Sequence, residues 1–118
     1  MNESVYAVVF DCGDAAKLAQ FWSATLNKAV DGDASADFAS IGLNDPASKG
    51  PGLMFNKVPE GKSTKNRVHL DLTSADLDAT VRRLLELGAR KGDEHSQDGS
   101  RWVTLADPEG NEFDVIAG

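Results

Sequence analysis

NRVHLDLTSADLDATVRRLLELGA, residues Asn66 to Ala89, changes its period part-way along. From Arg67 to Leu72 polar and apolar residues alternate, which puts Val68, Leu70 and Leu72 on one side of an extended chain and Arg67, His69 and Asp71 on the other. From Leu77 the apolar positions recur at Val81, Leu84 and Leu85, the spacing of one helical face, with Asp76 in the first turn and Gly88 as the stop. A strand that runs into a helix is therefore expected, with Val68, Leu70 and Leu72 packed beneath that helix.

The same plan occurs earlier in the chain. A shift of 62 positions lays Val8 on Leu70, Phe10 on Leu72, Asp14 on Asp76, Trp22 on Leu84, Ile41 on Val103 and Asp45-Pro46 on Asp107-Pro108. Val5 to Asp11 alternates as a strand, and Leu18, Phe21, Trp22 and Leu26 mark a helical face. After each helix come further strand signals: FASIGL and LMFNKV in the first half, SRWVTLA and EFDVIA in the second. The turns between them are NDPASKGPG and DPEGN, and the polar stretch Pro59 to Asn66 joins the halves. The polar run KGDEHSQDGS, which holds His95, reads as a solvated loop.

At 118 residues and 41% hydrophobic, the chain is expected to be one domain, 1–118, of two modules, about 1–58 and 66–118. A single cysteine, Cys12, rules out an intrachain disulfide and fits a reducing compartment. The longest apolar run near the start, Val5 to Phe10, is too short for a signal core or a membrane span, so the expected location is cytoplasmic, with no membrane partner. The net charge of −7, with no Lys/Arg cluster, sets phosphate-backbone binding against an adverse field, and nucleic acid is not expected as a partner.

Two βαβββ-like halves carrying HLDLTSADLDATVRRLLELGA and LADPEGNEFDV resemble the glyoxalase/bleomycin-resistance, or vicinal oxygen chelate, superfamily. The likeness is greatest to its small glyoxalase-like proteins, which share an opening like Asp11, Asp14, Phe21, Trp22 and a later NRVHLDL and DPEGNEF. It implies an α+β fold: two βαβββ modules in tandem forming one curled mixed sheet around a cleft, helices outside, and a homodimer. In the superfamily's metalloenzymes four side chains hold a divalent ion, one from the first and one from the last strand of each half. Carried over, these fall on Ala7, Met54, His69 and Asp114, with Met54 opposite Asp114 after a two-residue adjustment. Alanine has no donor and a thioether is soft, so two suitable ligands remain, and no cofactor is expected; the alternative is a divalent metal ion held by His69 and Asp114.

The face of Arg67, His69 and Asp71 would then turn into the cleft, joined by Asp114 and by Trp102 and Thr104, which alternate with the core positions Val103 and Leu105. An imidazole beside carboxylates is a general acid or base suited to neutral pH, which makes His69, Asp114 and Asp71 the candidate catalytic groups. Arg67, Trp102, Thr104, Met54 and Ala7 are the candidate ligand contacts, Trp102 by stacking. Two readings stay open: a metal-independent small-molecule binding protein, or a glyoxalase-like lyase or isomerase that uses His69 and Asp114, with or without an ion.

Overall fold

The computed structural model describes residues 2–118, in the order β1 (Ala7–Cys12), α1 (Ala15–Leu26), β2 (Phe38–Ile41), β3 (Gly52–Lys57), β4 (Asp71–Ser74), α2 (Leu77–Glu86), β5 (Arg90–Gln97), β6 (Ser100–Ala106) and β7 (Glu112–Ala117). The chain divides into two compact units, one ending at Gly61 and one starting at Lys62. Their strands form two mixed sheets of order β1-β3-β2 and β4-β7-β6-β5, so what the sequence suggests as one curled sheet is, in its hydrogen bonding, one sheet per unit. The second unit is a full βαβββ module. In the first, the place that β5 takes in the second is marked by a single bridge, Val30 to Ile41. Among the described residues no helix is long and apolar enough to cross a membrane.

Each helix begins at the aspartate expected for it. Asp14 accepts a hydrogen bond from the Lys17 amide and Asp76 from the Ala79 amide, satisfying donors that the first turn leaves free. Helix α1 buries Leu18, Phe21 and Trp22 within the first unit, where Phe55 is also fully buried; Phe10 stacks on Phe55 at 5.3 Å. Helix α2 buries Leu77, Val81 and Leu84 in the second unit, whose core also holds Val103, Leu105, Phe113 and Val115. Leu85, expected on this face, stays exposed. Because side chains alternate along β6 and β7, the four core residues leave Trp102, Thr104, Asp114 and Ile116 on the opposite face.

Two expectations fail locally. The strand ladder starts at Asp71, not at Val68, and Val68 is 79% exposed instead of lying beneath α2. Asn66 is tied to Glu112 of β7, its amide to Oε1 and its side chain to the backbone carbonyl, while Asp71 already pairs with Asp114. Five residue steps of one strand thus run beside two of the other, and the surplus bends outward at Arg67 and Val68. The run around His95 is likewise no loop: it is β5, an edge strand with a bulge between Lys91 and Glu94. Asp98 and Gly99, at φ of 53° and 80°, turn it into β6 as the two-residue hairpin such positive angles favour.

Candidate functional site

Strand register assembles the polar face of the second sheet. Thr104 of β6 lies opposite Asp114 of β7, and Asp114 lies opposite Asp71 of β4, so three strands contribute one residue each to a row. Asp114 is aimed by its neighbours, since Phe113 and Val115 are almost wholly buried and lock the strand face. His69 lies just before β4, where Leu70 accepts a hydrogen bond from the Asp114 amide and holds the approach segment against β7. The His69 imidazole reaches over both carboxylates, with Nε2 3.1 Å from Asp71 Oδ1 and 3.2 Å from Asp114 Oδ2.

The row continues beyond Asp114. Thr104 Oγ1 donates to Asp114 Oδ1 at 2.6 Å, His95 Nε2 lies 3.2 Å from the same hydroxyl, and the His95 ring stacks on Trp102 at 5.2 Å with planes 18° apart. His95, expected from the sequence in a solvated loop, is thus a neighbour of the row. The signal for it was Asp98-Gly99, a strong hairpin dipeptide whose pairing carries His95 opposite Trp102. Arg67 lies exposed in the bend ahead of β4.

Glu112 secures the segment that carries His69. Its carboxylate takes the Asn66 amide and lies 3.1 Å from Lys62 Nζ. Burial pushes its carboxyl up, but hydrogen bonds from backbone amides and from Lys62, together with the Lys62 charge, outweigh this and hold it below the ordinary glutamate value.

The first unit has the same ladder without the chemistry. Val9 stands beside Met54 as Asp71 stands beside Asp114, which is the two-residue adjustment the sequence suggests, while Ala7 stands beside Gly52. Ser40, beside Met54 as Thr104 is beside Asp114, sends its hydroxyl to Asp31 at 2.7 Å. Asp31 also accepts the amides of Leu43 and Asn44, so this carboxylate staples a turn. Burial raises its carboxyl, and the Ser40 hydroxyl with the Leu43, Asn44 and Gly42 amides overcomes that and lowers it.

A family model described as Glyoxalase-like domain matches residues 7–116. The chain belongs to the glyoxalase-like domain family. Solved structures agree on the fold of this glyoxalase-like chain. A glyoxalase/bleomycin resistance protein/dioxygenase family enzyme from Burkholderia phytofirmans PsJN superposes with a TM-score of 0.78 at 15% identity, over 98% of each chain. The fosfomycin resistance protein FosX from Mesorhizobium loti gives 0.72 at 12% identity, over 100% of this chain and 93% of the other. Lactoylglutathione lyase from Agrobacterium tumefaciens gives 0.66 at 14%, over 100% and 96%. No curated protein matches the chain in sequence.

The donor set bears on the divalent ion that the superfamily resemblance implies. His69, Asp71 and Asp114 each offer one ligand atom within 4.8 Å of the others. Ligand bonds of about 2.1 Å at right angles put neighbouring donors about 3 Å apart, close to the two imidazole–carboxylate separations here. These three groups therefore fit a divalent ion held within the second unit, although the four positions of the resemblance supply only His69 and Asp114. The fit uses Asp71, which reaches His69 because the imidazole leans along the strand toward it.

Proposed function

We propose that this chain is a small-molecule binding protein whose ligand docks on the polar face of the second unit, against His69, Asp71, Asp114, Thr104 and Trp102. The whole chain, 1–118, would act as one domain and pair as a homodimer in a reducing, cytoplasmic setting, with neither nucleic acid nor membrane as partner. The observation that carries the reading is the hydrogen-bonded row from His69 through Asp114 to Thr104. It keeps polar groups in fixed orientation on a half-exposed surface, which is how ligand sites gain specificity. Ala7 has no donor and Met54 offers only a thioether, which argues against the four-ligand metal centre of the superfamily's metalloenzymes.

A second reading, a lyase or isomerase that uses His69 and Asp114, is favoured by the three converging donors. A divalent ion bound there would supply Lewis acidity toward a ligand oxygen. Without an ion, His69 would move protons instead, with Asp114, steadied by Thr104, holding the imidazole in place.

A metabolite panel read by thermal shift, with and without a chelator, separates the two. The binding reading expects stabilisation in chelator, worth about 2.7 kcal/mol at a hundred times the dissociation constant, lost in Asp114→Ala and without turnover. Stabilisation that needs an added divalent ion, or conversion of the metabolite, supports the enzyme reading instead.

A further inference from the structure

The direction of the hydrogen bonds in the row is fixed by its chemistry. A carboxylate only accepts, so the Thr104 hydroxyl, 2.6 Å from Asp114 Oδ1, spends its one proton there. That hydroxyl can then only accept from His95, whose Nε2 at 3.2 Å must carry hydrogen. In the neutral imidazole this leaves Nδ1 of His95 as a bare acceptor, and among the described residues no protein group meets it. Stacking on Trp102 fixes the ring plane, and the bulge between Lys91 and Glu94 brings Gly92 so close to Thr104 that a Cβ there would lie 3.1 Å from its carbonyl oxygen. The imidazole is thus held by its edge, by its face and by the strand that carries it.

We propose that His95 is a positioning and specificity-determining residue of this site. Through Nε2–H it orients the Thr104 hydroxyl and so aims Asp114 toward His69. Through Nδ1 it presents an acceptor beside the Trp102 ring, so that the site selects a planar ligand bearing a hydrogen-bond donor, such as a phenolic hydroxyl or a ring N–H. The proposal deepens the binding reading and rests on it for the ligand, but the orientation of the row is testable with no ligand at all.

The test is the imidazole nitrogen spectrum of the chelator-treated, ligand-free protein at a pH where the histidines are neutral, for wild type, His95→Gln, His95→Phe and Thr104→Val. The proposal expects His95 as the Nε2–H tautomer in wild type. His95→Gln, which keeps an amide donor for Thr104, leaves the His69 signals in place. His95→Phe, which keeps a ring on Trp102 but has no donor, shifts them, and Thr104→Val shifts them likewise. A His95 protonated at Nδ1, or His69 signals equally indifferent to Phe and to Gln, overturns the proposal. If His95→Phe does not fold, the wild-type tautomer and the contrast between Gln and Thr104→Val decide it. Failure of the binding reading shows separately, as a metabolite panel without hits on a protein whose spectrum is as expected.

Discussion

Asp114→Asn changes one atom and should cost far more than the same change at Asp71. Asp114 faces a donor on each oxygen, Thr104 Oγ1 at 2.6 Å and His69 Nε2 at 3.2 Å, and its side chain is only 16% exposed. In asparagine one of the two positions becomes an NH₂ group, so either Thr104 must turn its hydroxyl round to accept or His69 must change tautomer, and one charge-assisted hydrogen bond is lost either way. Hydrogen bonds to a charged group contribute about 1.5–3 kcal/mol each. The imidazole is 42% exposed and can turn to water, so the expected loss is close to one such bond, about 2 kcal/mol. At about 4 °C per kcal/mol for a chain of this length, the melting temperature should fall by about 8 °C. Asp71 is 53% exposed and lies in register with Asp114, so replacing it removes a weak pair and also relieves like-charge repulsion. Its asparagine variant should stay within about 0.5 kcal/mol of wild type. Urea unfolding followed by circular dichroism measures both. Equal costs at the two positions, or a loss below about 0.5 kcal/mol at Asp114, would refute the claim that Asp114 is the anchored member of the cluster.

Asp31 should show its lowered carboxyl in the acid limb of stability. Its hydrogen-bonded form contributes fully above the ordinary aspartate range, near pH 4, and that contribution disappears as the pH falls through the lower folded value. Wild type should therefore exceed Asp31→Asn by about 1–2 kcal/mol at pH 6, and the gap should shrink by pH 3; a gap independent of pH contradicts the assignment. The homodimer is checked by sedimentation across a concentration series, where a concentration-independent monomer rejects it.

Period and register were the readable parts of this chain. The 62-residue repeat located both helices, and the alternation in SRWVTLA and EFDVIA gave β6 and β7 residue for residue, because burying Val103, Leu105, Phe113 and Val115 leaves a pattern that no other register satisfies. Thr104 and Asp114 were legible as candidates for the same reason, whereas His69 sits in the segment before β4, where the alternation breaks at Val68. Val68 was misread because an alternating pattern carries no information about a side chain, Glu112, that captures Asn66 from another strand and forces the intervening chain outward. His95 was missed because β5 is an edge strand with an exposed, polar surface, so hydrophobic periodicity has nothing to act on and only the Asp98-Gly99 turn betrays it.

The central claim is that the His69 cluster serves a small molecule without a resident ion, and the metal content of the protein tests it most directly. Elemental analysis of protein made without an affinity tag and dialysed, together with its His69→Ala variant, is the measurement. A four-ligand zinc site gains about 10 to 16 kcal/mol from its ion, whereas this cluster offers three donors on a partly exposed face and should release an ion to dialysis. The account predicts far less than one divalent ion per chain in both proteins. Close to one zinc, nickel, manganese or iron per wild-type chain, lost in His69→Ala, contradicts it and establishes His69, Asp71 and Asp114 as a metal centre.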